Sequence, residues 1–500
     1  MLRTPKSLIP LAVAAFWLVM MGLLLHREVV GPMLHPRPDV SRLSRPQDVW
    51  MGLYFGGDQR AGFVHWSTEP ANRGDDAGYT LEVLARLTMP LFGQNAAMSL
   101  SGTAWQSAAN GLREFDFTLR SGDYDMRIEG GVRRGALEAR VHTAGEVMPL
   151  NLPVDRELLL GGGMGLSSMA LPALEPGQTA QVDTFDPTTM SVGRAKVEAV
   201  KRERLSLGGA ETDTTLITTT IGGITTRAWI DANQEVVRAE TPFGITVQRI
   251  TPEEALAPVA PGEQANLLQN VSIAPAGKTP ARDETRMRVR FTGIPEDRMP
   301  PETQFQRRDG DAYEITTPVP DPAAPADDIT AADVRQYLGS DAFISAGHER
   351  IKALAAEIAG GAEDNTEKAR LLLGWVYGNI EKKHTLSMPS ALDVLRTREG
   401  DCNEHSVLFT ALARAAGIPA RTAIGLAWSG EINAFGYHAW AELYLGRWTP
   451  MDPTFGQQFA DATHIKLVDG GPETWPRLLG YIGNLDIEVL ETGPKPQEPQ

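Results

Sequence analysis

Cysteine is almost missing from this 500-residue chain, which has only Cys402. One thiol excludes an internal disulfide framework, and that exclusion is neutral between reducing and oxidising compartments. Positive charge is scarce as well: 47 Lys and Arg stand against 63 Asp and Glu, for a net charge of −16. With no basic run interleaved with aromatics, nucleic acid is not an expected partner. No histidine–glutamate cluster has metal-ligand spacing, so neither a metal nor another cofactor is expected. The run Gly161–Gly165 lacks the Lys-Ser/Thr and the strand-to-helix context of a phosphate loop, and reads as a turn. Disorder is excluded in bulk by 42% apolar and 22% charged residues. A chain of this length exceeds one core, so two or three domains are expected.

One long apolar run is present. Arg3 and Lys6 precede an uncharged stretch from Leu8 to Leu25, closed by His26, Arg27 and Glu28. A helix there spans ~27 Å at ~1.5 Å per residue, near the lower limit for a bilayer. No small-x-small cleavage site comes after it, which favours a retained anchor over a signal peptide. Positive charges are nearly balanced across the span, with Arg27, Arg37, Arg42 and Arg45 after it. A short basic head before an anchor usually sends the rest of the chain across the membrane. The expectation is a single-pass inner-membrane protein whose body faces the bacterial periplasm.

The fold class expected is α+β, in five parts: residues 1–30 as the transmembrane helix, 46–250 as a large antiparallel β domain, 251–328 as Pro/Ala-rich linkers around a small β unit, 329–490 as a C-terminal α+β domain, and 491–500 as a disordered tail. From Val49 to Gln248 apolar and polar residues alternate, as in Leu112–Arg120 and Tyr124–Glu129, which marks half-buried strands. Thr225–Asp231 and Glu235–Glu240 read as a hairpin turning through Ala232, Asn233 and Gln234. Closely spaced strands argue for a large, curved sheet. In pattern alone the region resembles the curved half-barrels of bacterial envelope proteins, lipoprotein carriers among them. Thr285–Phe291 and Tyr313–Thr317 read as strands of the small unit. From Ile329 the period is helical, and Asp364 or Asn365 can cap a helix burying Ala369, Leu372, Leu373, Val376 and Ile380.

Cys402 opens a helix that runs to a left-handed stop at Gly417, with Asp401 as N-cap and Glu404 completing a capping box. Its expected buried stripe is Val407, Leu408, Ala411, Leu412 and Ala415. A thiol at a helix start faces the positive end of the macrodipole, which favours thiolate. His405 is expected in solvent. Two strands come next, Ile418–Trp428 and Tyr437–Leu445, then a turn into Trp448–Asp452. A strict two-residue turn would set Asp452 on the face opposite His438. A three-residue loop with one bulge sets it across from Trp440, diagonal to His438, and this register is expected.

Four motifs in one order carry a resemblance: Gly-Asp-Cys at 400–402, Leu-Phe-Thr-Ala-Leu-Ala-Arg-Ala-Ala-Gly-Ile-Pro-Ala-Arg at 408–421, His-Ala-Trp-Ala-Glu at 438–442 and Trp-Thr-Pro-Met-Asp-Pro-Thr at 448–454. Roughly residues 330–470 resemble the transglutaminase-like superfamily of papain-type thiol enzymes. The resemblance implies Cys402 as nucleophile, His438 as general base and Asp452 as its orienting partner. It also implies a thioester formed on a peptide or carboxamide carbonyl and resolved by water or an amine. Asn403, Glu404 and His405 come after the cysteine where the family often has an apolar or aromatic residue, a departure that bears on substrate preference. The oxyanion donor nearest to hand is the Cys402 backbone N–H. The expected partner is a protein or peptide substrate, and the function is protease, amidase or transglutaminase. The competing reading is an envelope binding or scaffold module, against which the intact triad argues.

Overall fold

The computed structural model describes residues 46–493, leaving out 56–58, 92–93, 123, 144, 155, 162–173, 188–189, 208–209, 222–223, 242–244, 259–271, 319–333, 342, 384–388, 471–477, 479–480 and 482. The anchor expected at 1–30, residues 162–165 of the glycine run and residues 494–500 of the tail lie outside the described residues. Among the described residues, no helix is long and apolar enough to cross a membrane.

Alternation organises the first half of the chain. In Gly111–Ser121, Phe115, Phe117 and Leu119 are buried while Glu114 and Arg120 are exposed, the two-residue period of a half-covered strand. Fifteen such strands between Gln47 and Arg249 form one sheet. Its two meanders meet where Gln47–Phe55 pairs antiparallel with Ile245–Arg249. Leu158–Leu160, at one edge, runs parallel to Thr179–Asp186. The sheet curls on itself. Leu160 N–H reaches Gln106 Oε1 (3.4 Å), and the Phe185 ring lies 5.0 Å from Phe115, so one continuous core fills the concave side. The hairpin at 224–240 turns where Asp231 Oδ1 accepts from Asn233 and Glu235 N–H, with Gln234 at φ 65°.

The linker region differs from expectation. Thr251 caps a short helix, Pro252–Leu256, through a full capping box. Arg286–Thr292 and Ala312–Thr316 do pair, but they belong to a five-stranded sheet completed by Asp486–Thr492 from the far end of the chain. Boundaries at 328 and 490 therefore cut through a sheet, and Glu491 and Thr492 are strand rather than tail. The cause is exposure. A small unit built from 251–328 alone would leave its apolar face to water. Here Met287, Val289, Phe291 and Tyr313 share a core with Leu426, Trp428 and Phe435 of the C-terminal region.

The C-terminal region is α+β. Four antiparallel strands stand in the order Trp448–Met451, Ala434–Tyr444, Ala420–Ser429, Ile465–Asp469. Helices Glu349–Ala359, Asn365–Asn379, Ala391–Thr397 and Cys402–Ala415 form a second layer. Asp364 caps the second helix by accepting from Glu367 N–H at 2.8 Å, and Ala369, Leu372, Leu373 and Val376 are buried. In Cys402–Ala415 the expected stripe faces the core, yet Phe409, Thr410 and Ala413 are buried as well. The helix is enclosed on nearly all sides. Ala441 and Leu443 of the central strand pack with Leu408 and Leu412, so the helix lies on the odd-numbered face of that strand. Each such aliphatic burial contributes roughly 1.5–3 kcal/mol.

The large sheet touches this region next to the Cys402 helix. Tyr124 Oη donates to the Glu399 carbonyl (2.9 Å) and lies 3.2 Å from Thr397 Oγ1. Thr143 Oγ1 donates to buried Asp393 Oδ2 at 2.5 Å. Phe343 sits in the core of the large sheet.

Candidate active site

Gly400 begins the site. Its φ of 153° lies at the edge of the range that favours glycine, and a Cβ there would sit 2.2 Å from Glu404 Cγ. That closeness is needed because Glu404 Oε2 accepts the Asp401 N–H (2.9 Å), while Asp401 Oδ1 accepts the Asn403 N–H (3.1 Å). The capping box so formed starts the helix at Cys402, whose own N–H has no partner one turn back. The thiol is half-buried and hydrogen-bonded to the backbone of Ala439. This bond sets Cys402 against the peptide that joins Ala439 to His438. Desolvation, with the carboxylates of Asp401 and Glu404 nearby, pushes the thiol well above its ordinary range, and the Ala439 bond offsets this only in part. The thiolate expected from the helix start is thus outweighed at rest.

His405, expected in solvent, is fully buried. Its ring folds back so that Nδ1 meets the Asp401 carbonyl at 2.7 Å, and its Nε2 has no hydrogen-bond partner among the described residues. Burial lowers its pKa.

His438 and Asp452 meet directly, Nε2 donating to Oδ2 at 2.8 Å. The register that brings them together has three residues, Leu445, Gly446 and Arg447, between the paired Tyr444 and Trp448. Gly446 takes a left-handed φ of 87° in that loop. Continuing the same pairing sets Asp452 across from Trp440. The backbone of Asp452 exchanges two hydrogen bonds with Gln457, each 2.9 Å, which closes the loop after it. Within that loop Asp452 Oδ1 accepts from Thr454 N–H (2.7 Å) and Phe455 N–H (3.0 Å).

Phe455 lies flat on the His438 ring, centroids 4.4 Å apart at 8°, and the Arg282 guanidinium lies 3.6 Å over the Phe455 ring. Ring orientation is thereby fixed from the side as well as from the tip. With Nε2 committed to Asp452, Nδ1 is the nitrogen left to take a proton. Burial lowers the His438 pKa, against the pull of Asp452. Burial alone would raise the Asp452 carboxyl, but the charges and hydrogen bonds of two histidines hold it well below the carboxylate range.

The second histidine, His464, was not singled out by any motif, nor was Asp461. His464 Nε2 lies 3.0 Å from the same Asp452 Oδ2, and its Nδ1 lies 3.2 Å from Asp461 Oδ1. The only cue in the sequence is an Asp three residues before a His at the mouth of a strand, which is common and weak. His438, Asp452 and His464 offer atoms within 4.8 Å of one another, and their mutual hydrogen bonds account for that closeness.

Two cavities flank the site. One of about 230 Å³ is lined by Asn403, Val407, Thr422, Ile424 and Ala439, adjoining both Cys402 and His438 in sequence. The other, about 250 Å³, is lined by Trp440, Glu442, His464 and Lys466 among others. Glu442 is bound there by Lys466 (2.7 Å) and Arg421 (2.7 Å), which hold its carboxyl low against the effect of burial.

The thiol opens a helix against the Ala439 backbone, and the histidine–aspartate pair stands on the strands of the same region; comparison with known proteins places that region in a family. Residues 352–453, which contain Cys402, His438 and Asp452, match the Transglutaminase-like superfamily, so the chain carries a transglutaminase-like domain. Kyphoscoliosis peptidase of Mus musculus is 29% identical over 157 residues, covering 27% of this chain and 22% of that protein. The Homo sapiens protein of the same name is 27% identical over 155 residues, with the same coverage. The chain thus spans about a fifth of the length of these curated relatives. Among solved structures, a candidate cysteine protease from Cytophaga hutchinsonii is similar at TM-score 0.30 and 16% identity, covering 43% of this chain and 92% of that one. A β-barrel-like protein from Brucella abortus is similar at TM-score 0.29 and 11% identity, covering 41% of this chain and 95% of that one.

Proposed function

We propose that this protein is a thiol-dependent acyl-transfer enzyme acting on peptide or carboxamide bonds. The observation that carries the reading is the His438–Asp452 hydrogen bond, with Cys402 held against the His438–Ala439 peptide. The raised thiol and lowered imidazole make the resting pair neutral. On substrate binding, His438 Nδ1 takes the thiol proton as sulfur attacks the carbonyl carbon, and Asp452 stabilises the imidazolium so formed. His438 then protonates the departing amine as the C–N bond breaks, leaving a thioester. Water or a second amine resolves it, regenerating the thiol. Hydrolysis is favoured over cross-linking because an open site always meets water. The Cys402 N–H at the helix start is the first oxyanion donor. The 230 Å³ cavity beside Asn403 and Ala439 is the proposed seat for part of the substrate.

The test is mass spectrometry of protein incubated with cell-envelope extract. An acyl adduct on Cys402 of the wild type, missing from Cys402→Ala, is expected; no adduct on folded wild-type protein would favour a binding module. The reading includes location: an anchor at Leu8–Leu25 with the body in the periplasm. Protease added to spheroplasts should digest the body, and protection would overturn that assignment.

A further inference from the structure

We propose that His464 is a positioning residue, held as an imidazolium between Asp452 and Asp461, that shares the orienting carboxylate with the catalytic base. This rests on the triad reading above and adds to it a fixed cation behind the triad.

The argument is one of donors and acceptors. Asp452 Oδ2 receives both Nε2 atoms, from His438 at 2.8 Å and His464 at 3.0 Å, while Oδ1 is filled by two backbone N–H groups. On the far side, Asp461 Oδ1 accepts from Thr463 N–H (2.9 Å) and faces His464 Nδ1, and its Oδ2 accepts from Gln457 Nε2 (2.7 Å) and Asp283 N–H (3.1 Å). A carboxylate ringed by donors stays ionised. His464 Nδ1 also lies 3.2 Å from the Asp461 carbonyl oxygen. Both nitrogens of His464 therefore point at oxygen acceptors. A neutral imidazole has one N–H and would set a lone pair against one of them; the imidazolium satisfies both. Burial would discharge the ring, but the bonds to Asp452 and Asp461 outweigh it and raise its pKa to about 9.

The consequence lies in the charge facing His438. Burial is the main reason that His438 stays neutral, and the charge and hydrogen bond of Asp452 work against it. Shared with a standing cation, the same carboxylate pulls less, and His438 stays neutral and ready to act as base. The other groups around His464 are the His438 ring at 5.7 Å, the uncharged rings of Trp440 and Phe455, and Arg282 beyond Phe455. Across the 250 Å³ cavity lie Glu302, Arg421, Glu442, Lys466 and Asp469, of which Glu442 is already bound by Arg421 and Lys466.

Ring-nitrogen NMR of histidine-labelled protein tests the charge state without any substrate. Two protonated nitrogens on His464 at neutral pH, titrating near 9, are expected; one protonated nitrogen, titrating near the ordinary 6.5, would overturn the proposal. The His464→Gln variant tests the role. Loss of the cation should move the acid limb of Cys402 acylation upward by about one pH unit, because His438 then holds its proton more tightly. An unmoved limb in folded His464→Gln protein would overturn the positioning role. Should that variant not fold, Asp461→Asn replaces it, and the His464 titration must fall from its wild-type position. An inert Cys402 in the wild type would defeat the triad reading, and the NMR signals would still decide the charge on His464, so the two failures are distinguishable.

Discussion

Replacing Asp452 by Asn separates orientation from bulk, because the side chains have the same shape. The carboxylate accepts four N–H groups, two from backbone and two from histidine rings. Thr454 and Phe455 N–H cannot reverse, so the amide oxygen must take the Oδ1 place and the NH₂ must face the rings. His438 then accepts at Nε2 and carries its proton on Nδ1, the nitrogen that should receive one from the thiol. His464 must likewise surrender its Nε2 proton and its charge. Hydrogen bonds are retained in number, while a buried charge arrangement is lost, at a cost of about 3–5 kcal/mol. The wrong tautomer should reduce acylation by a factor on the order of 10³–10⁴. Release of p-nitrophenolate from p-nitrophenyl acetate reads acylation without a natural substrate, and thermal unfolding confirms the folded state. Acylation of folded Asp452→Asn protein at the wild-type rate would refute the reasoning.

Other expectations can be checked alongside. The folded-state pKa of His464 is raised to about 9 from an ordinary 6.5, so its contribution to stability is complete below pH 6.5 and fades as pH rises through 9. Each pKa unit is worth ~1.4 kcal/mol; urea unfolding at pH 6 and pH 9.5 should show a loss of about 2–3 kcal/mol that His464→Gln lacks. Tyr124→Phe deletes the hydroxyl that holds the Glu399 carbonyl, three residues before the thiol. It should cost about 1 kcal/mol and slow acylation, whereas unchanged acylation would show that the large sheet does not brace the site. Gly400→Ala places a methyl group where Glu404 packs. Disruption of the capping box should cost at least the ~0.5–2 kcal/mol of a lost cap and alter Cys402 reactivity, both readable by thermal melts and alkylation rates.

Local pattern carried much of this architecture. Strand alternation, the cap at Asp364, the capping box around Cys402 and the three-residue loop before Trp448 each depend on neighbours within a few positions. What escaped depends on distance. Nothing near Arg286 announces that its partner strand lies about two hundred residues on. His405 lies near the helix start, where solvent is the ordinary expectation, yet it is fully buried because neighbouring layers close over it. His464 was missed because its meaning lies in Asp452 having a second lone-pair direction, which no motif encodes. The motifs around His438 and Asp452 pointed to one pair; the structure adds a second ring on the same oxygen.

The closing strand Asp486–Thr492 gives the molecule a timetable. Synthesis runs from the amino end, so Arg286–Thr292 leaves the ribosome with one edge bare and waits through the making of every helix and strand around Cys402. Its apolar residues complete the layer behind the His438 strand. Until residue 492 has been added, the newborn chain holds its one thiol next to an unfinished wall, and the layer behind the His438 strand closes last.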